Sequence, residues 1–270
     1  MKNLERSGVR YYLATPKDSW KDQTYFLHQI REEQLQHILF PLSDLSKEEV
    51  RKKAQELQLH VADKKDSVGI CFVGDVDVQA MLAEKFGDKP GEVIDTKGNV
   101  IGAHHGLWFY TIGQRSGFTI NQTSLVKQAD GTTITKQNIP PFYVIAKKAK
   151  ENQLVVGFGA ETYMDKFKVE QLHWIAKPSQ FTPHLSPLYV RLRHTGKLLP
   201  CKLQLTTHNP HSTFHVQLQE PQRGIAPGQF AVFYTPYKEQ RTENGEQKKI
   251  SSSIFNPQSF LCLGGGVITN

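Results

Sequence analysis

Hydrophobic positions recur with a helical period near the N-terminus and with a two-residue period towards the C-terminus, so the chain changes structural class along its length. In SKEEVRKKAQELQL, Ser46 and Glu49 have capping-box spacing, Leu45 can staple onto Val50, and Val50, Ala54 and Leu57 share a helical face. This predicts a helix over residues 46–59. Upstream, REEQLQHILF predicts a shorter helix with Leu35, Ile38 and Leu39 on its apolar side, stopped by Pro41. KDQTYFL before it reads as extended chain or loop. Further on, VDVQAMLAEKFG predicts a short helix with Val78, Met81, Leu82 and Phe86 facing inward. The two apolar runs of EVIDTKGNVIG flank residues 96–99, a hairpin pattern. GLWFYTIGQRSGF is aromatic and carries Gly106, Gly113 and Gly117, a signature of tight turns or close backbone approach. Residues 119–141 are polar without a period and read as a long loop or insertion.

From about Phe167 strand follows strand. In SPLYVRLRH, Leu188, Val190 and Leu192 alternate with Tyr189, Arg191 and Arg193. One face is therefore apolar, and the other is expected to present two guanidinium groups outward, either to solvent or to a phosphate backbone. CKLQL, TFHVQLQ, QFAVFY and SFLCLGGGVI continue the pattern with Pro and Gly between them, which predicts a small antiparallel barrel. The glycines 264–266 read as a bend or a close backbone contact, since no helix follows them.

Composition changes this picture in one respect. Lys and Arg number 33 against 26 for Asp and Glu, and the formal charge of +7 points to an anionic partner, nucleic acid first. Three widely spaced cysteines, Cys71, Cys201 and Cys262, offer no CxxC pair and no secreted disulfide framework. No apolar run is long enough for a membrane span and no signal peptide is evident, so the expected location is the cytoplasm. His104 and His105 would face opposite sides of a strand and do not make a metal site. Cys71 lies in KKDSVGICFVG between apolar neighbours. By itself this pattern favours a packing residue over a reactive thiol, because Lys64 and Lys65 are offset by Asp63 and Asp66. Cys201 and Cys262 sit in strand patterns as core residues.

Several separated segments nevertheless agree. DQTYFL, KKDSVGICFVG, GLWFYTIGQRSGF, EPQRGIAPGQFAVFY and CLGGGVI, in that order, resemble the tRNA-specific 2-thiouridylases. The resemblance implies the end of an ATP pyrophosphatase-type α/β domain (1–76), a small central domain (77–166) and a C-terminal antiparallel β-barrel (167–270). The implied fold class is thus an α/β remnant followed by mostly β structure. It also implies an enzyme that adenylates the carbonyl oxygen of the wobble uridine with ATP and then delivers sulfur to position 2 from a cysteine persulfide. Two cysteines share that work and end as a disulfide.

On this resemblance Cys71 matches the persulfide carrier, while Lys21, Asp22, Gln23, Arg191, Leu192 and Gln229 match positions that contact tRNA. The expected partners are tRNA, a persulfide sulfur donor protein and, where the chain is one half of a split enzyme rather than a fragment, a separately encoded N-terminal ATP-binding portion, with no membrane. The SGGxDS loop that binds ATP in the family does not occur in this sequence, nor does any cysteine before Cys71. The expectation is therefore a truncated thiouridylase, inactive alone. The alternative is a non-catalytic tRNA-binding module of the same descent.

Overall fold

A computed structural model describes residues 11–65, 74, 76–121, 126–127, 133–134, 141–175, 187–205, 213–237 and 259–269. The chain divides by its internal contacts into two units, one of residues 1–64, 166–220 and 227–270, the other of residues 65–165 and 221–226. The residues before 65 thus group with the C-terminal strands.

The first unit is built on a closed antiparallel barrel. Strands β9 (Tyr163–Trp174), β10 (Leu188–Arg191), β11 (Leu199–Leu205), β12 (Phe214–Arg223), β13 (Phe230–Pro236) and β14 (Phe260–Thr269) run in the order β14-β13-β10-β11-β12-β9, and β9 returns to β14. Closure removes the exposed edges that an open sheet would leave. The alternation in the sequence puts Val190, Val216, Leu218 and Phe233 on one face, all nearly free of solvent, while Val232, Tyr234 and Cys262 pack on the other face with Leu13, Tyr25 and Leu35. Strand β14 is shared: Leu261 and Cys262 pair with a short strand β1 (Leu13–Ala14), and the stretch from Gly264 onward pairs with β9. The glycine run is a site of close approach, as expected. A Cβ on Gly264 would collide with the carbonyl of His173, and one on Gly265 would lie 2.8 Å from both the Ala231 carbonyl and the His28 ring.

Two helices precede the barrel strands in this unit. Helix α2 (Lys47–Glu56) starts as the sequence predicts: Ser46 Oγ accepts from the Glu49 amide, and Glu49 Oε2 accepts from the Ser46 amide at 2.6 Å. Lys17 Nζ donates to both Glu49 oxygens at 2.8 and 2.9 Å, and Asp18 accepts from the Lys47 amide. These contacts draw the exposed Glu49 carboxyl down to about 2, the Lys17 hydrogen bond being the largest cause. Yet α2 buries no residue. The other helix, α1 (Glu32–Leu35), is a single turn, shorter than REEQLQHILF predicts: Leu35 is buried, but Leu39 is 89% exposed.

The second unit is a five-stranded sheet, order β4-β3-β2-β8-β7, made of β2 (Gly91–Ile94), β3 (Val100–His104), β4 (Thr119–Ile120), β7 (Tyr143–Lys148) and β8 (Gln153–Gly157). The predicted hairpin is β2–β3, with Asp95 accepting from the amides of Lys97 and Asn99 across its turn. The region read as a loop contributes β4 to this sheet and holds a ribbon of β5 (Val126–Lys127) and β6 (Thr133–Ile134); much of it lies outside the described residues. Val93, Ile101, Phe109, Tyr110, Val144 and Leu154 form the core. Helix α3 (Val78–Phe86) corrects the expected inward face. Leu82 packs on that core, but Val78, Met81 and Phe86 are exposed, because the helix meets the unit at the 3-10 turn Leu107–Phe109 rather than along its length. Arg223 stacks between Tyr143 and Tyr163, 3.9 and 4.7 Å from the ring centroids, and its Nε donates to Thr162. Such cation–π contacts hold segment 221–226 in this unit.

A candidate RNA-binding surface on the barrel

The segment DQTYFL forms consecutive turns, and its side chains divide between anchors and displayed groups. Asp22, Thr24, Tyr25 and His28 are buried, while Lys21, Gln23 and Phe26 are exposed. Asp22 is central to the anchoring. Its Oδ1 accepts from the Thr24 amide at 2.8 Å and the Thr24 hydroxyl at 2.6 Å, and its Oδ2 accepts from Arg191 Nη1 at 2.6 Å. Thr24 spends its only hydroxyl proton on Asp22, so the contact at 3.0 Å from Tyr234 must have the Tyr234 hydroxyl as donor. Burial raises the Tyr234 phenol, which keeps it protonated for that role. The Arg191 guanidinium lies 5.0 Å from the Tyr234 ring centroid, and Cys262 Sγ donates to the Thr24 carbonyl.

Tyr25 extends the join. Its hydroxyl donates to the Phe230 carbonyl at 3.0 Å and lies 3.4 Å from the Leu192 carbonyl. His28 Nδ1 donates to the Tyr25 carbonyl, and its ring sits against Phe230. Desolvation pushes the His28 imidazole below its ordinary value. His173 Nε2 donates to the Ile30 carbonyl at the end of the turns.

Three stretches far apart in sequence therefore converge on one end of the barrel: 21–23, 191–192 and 229. Lys21 and Gln23 are displayed there, Gln229 is half-buried next to Phe230, and Arg191 and Leu192 are buried. The alternation expected for SPLYVRLRH holds, since Arg191 lies on the face of Val232 and Tyr234, opposite Val190. Arg193 faces solvent as expected, but Arg191 is buried, because the N-terminal segment covers that face and Asp22 supplies a carboxylate for it. Sequence reasoning also passed over Tyr25, Phe26, His194 and Tyr234. The alternation of polar and aromatic residues in DQTYFL was the available signal.

Other expectations resolve more simply. His104 is buried with Nε2 on the Asn152 carbonyl, while His105 is exposed on the Gly117 carbonyl, so the two diverge as predicted. Among the described residues no His, Cys, Asp and Glu cluster could hold a metal. Burial pushes the Cys201 and Cys262 thiols up to about 12, which leaves them inert near neutral pH. Cys71 lies outside the described residues. The described helices do not fit ATP. None opens on a glycine-rich loop, and α3 opens on Asp77, whose carboxylate already accepts the amides that a phosphate would take.

Comparison with known proteins accounts for these features together. Family models described as tRNA methyl transferase HUP domain, tRNA methyl transferase PRC-barrel domain and aminomethyltransferase beta-barrel domain match residues 2–75, 79–158 and 164–241 in succession. A tRNA-specific 2-thiouridylase MnmA of Lactobacillus delbrueckii subsp. bulgaricus is 34% identical over 98% of this chain and 61% of its own length. Proteins of the same name from Pseudomonas fluorescens and Shewanella oneidensis are 36% and 35% identical over 93% of this chain, and 57% and 58% of their own lengths. The chain belongs to the tRNA-specific 2-thiouridylase family. It spans about three-fifths of the length of the relatives it matches. Within a thiouridylase, the mostly β architecture with a closed antiparallel barrel is what the family models lead one to expect. No helix among the described residues is long and apolar enough to cross a membrane.

Proposed function

We propose that this chain supplies the tRNA-holding surface and the sulfur-carrying cysteine of a tRNA 2-thiouridylase acting in the cytoplasm. The observation that carries the reading is the convergence of 21–23, 191–192 and 229 on one end of the barrel, in a chain similar over nearly its whole length to proteins named for tRNA thiolation. Lys21, Gln23 and Gln229 are in reach of RNA. Asp22 and Arg191 act through them by holding the turns in place, and Leu192 offers its backbone. The family models name methyl transfer. Sulfur is preferred here because the relatives are named for it and because KKDSVGICFVG supplies a cysteine in the matched segment.

In this reading Cys71 carries a persulfide, whose terminal sulfur replaces the oxygen at position 2 of the wobble uridine. A persulfide donor protein loads it, and a second cysteine attacks the persulfide, releases the sulfur and leaves a disulfide with Cys71. ATP supplies the activation that turns the uridine oxygen into a leaving group with AMP. We assign its binding, and the second cysteine, to the part of the relatives' length that this chain does not span.

The test is reconstitution. This chain, the ATP-binding portion of a relative, ATP, a persulfide donor and tRNA should yield 2-thiouridine, and Cys71→Ser should abolish the product while leaving tRNA affinity within a few-fold. Product formation by the Ser variant would overturn the catalytic assignment. A non-catalytic tRNA-binding module is the second reading, favoured by the fact that the candidate surface is complete without Cys71. It predicts tRNA binding with no persulfide transfer to Cys71.

A further inference from the structure

Next to the anchored turns, the Phe26 ring rests on the His194 imidazole with centroids 4.5 Å apart and planes 37° from parallel, and Phe26 is 59% exposed. His194 belongs to the tight turn after β10, closed by the Gly196 amide donating to the Arg193 carbonyl. Its Nε2 lies 3.4 Å from the Gln23 amide nitrogen. An exposed ring of this size costs free energy to keep in water, and here it is held on a second ring by a segment anchored through Asp22, Thr24 and Tyr25. Lys21 and Gln23 on the Phe26 turns, and Arg193 and Lys197 in the His194 turn, are exposed. This is an aromatic shelf with an amide at its edge on turns that also carry exposed cations, the combination by which proteins hold an unpaired base and its phosphates.

We infer that Phe26, backed by His194, is a stacking platform for one unpaired nucleobase of the bound RNA, with Gln23 at the base edge and Lys21 and Arg193 near the flanking phosphates. This rests on the reading of the chain as tRNA-binding and adds the structural class recognised, a splayed-out base rather than a duplex. Stacking tolerates any base, so the platform contributes affinity and orientation more than sequence choice.

The test measures tRNA affinity by fluorescence anisotropy across a salt series for the full chain and for Phe26→Leu, Phe26→Trp, His194→Ala and Lys21→Ala. Phe26 is exposed, so its replacements leave folding intact; circular dichroism of each variant verifies this. Phe26→Leu, which keeps apolar bulk but loses the π-face, should weaken binding about tenfold with an unchanged salt slope, and Phe26→Trp should restore it to within about threefold. His194→Ala should weaken binding by a smaller factor in the same way, whereas Lys21→Ala should lower the salt slope by about one. Salt-sensitive binding by the wild type that Phe26→Leu leaves unchanged overturns the platform and leaves the RNA reading standing. No binding of tRNA by the wild type at any salt concentration overturns both.

Discussion

Residues 13–30 and 31–62 are neighbours in sequence and lie in the same unit, but they are held differently. The first stretch adds a strand to β14 and buries Asp22, Thr24, Tyr25 and His28 among barrel residues. The second is folded by local rules: α2 has its capping box and its Lys17 contact but buries nothing, and Leu39, Leu42, Leu57 and Leu59 are exposed. Beyond Leu35, which packs in one cluster with Val232, Tyr234 and Cys262, the second stretch and α2 in particular share little of their energetics with the barrel. The candidate RNA surface therefore belongs to the barrel, although two of its three contributing stretches are barrel strands and turns and the third is N-terminal.

The largest effect should come from breaking the pair that joins the two sequences. Arg191→Ala leaves Asp22 buried without its cation and should cost about 3–5 kcal/mol in urea unfolding, with Asp22→Ala similar. The double replacement should cost much less than the sum of the two, and strict additivity would mean the pair is not coupled. Tyr25→Phe should cost about 1 kcal/mol through the lost bond to Phe230.

Ser46→Ala sharpens the contrast from the other side. It should destabilise α2 by about 1 kcal/mol, visible as faster amide exchange over 47–56, without moving the barrel transition. Acid separates the stretches as well. His28 is held below its ordinary value by burial, so the unfolded chain binds the extra proton first; stability should be full above about pH 6.5 and fall below it as the anchored turns loosen. Glu49 is depressed from 4.5 to about 2, so its contribution is present above pH 4.5 and is lost between there and 2, acting on the start of α2 and its Lys17 contact. The smallest effect belongs to Leu57→Glu, expected within about 0.5 kcal/mol because the side chain is 70% exposed.

What the sequence made legible was what is local or periodic. The Ser46–Glu49 box spans three residues, the β2–β3 hairpin has its turn residues in place, and the barrel strands alternate plainly enough for Cys201 and Cys262 to be read as packing residues. Arg191 has the side that alternation gave but is buried where solvent was expected, because its partner Asp22 lies 169 residues away, and alternation assigns a side, not a partner. Helices α1 and α3 were overestimated for a related reason. Apolar spacing names a face that could be buried, and whether Leu39 or Met81 finds a surface depends on packing that no local window contains. The six residues expected at the tRNA surface came from resemblance alone, and only the structure divides them into Lys21 and Gln23, exposed, Gln229, half-buried, and Asp22, Arg191 and Leu192, buried.

Hydrogen exchange of the full chain with and without tRNA tests most directly whether the RNA surface lies on this end of the barrel. Addition of tRNA should slow exchange in 20–30, 192–196 and 228–230 while leaving α2 unchanged. Protection confined to residues 76–165, with those three stretches unaffected, would contradict the account.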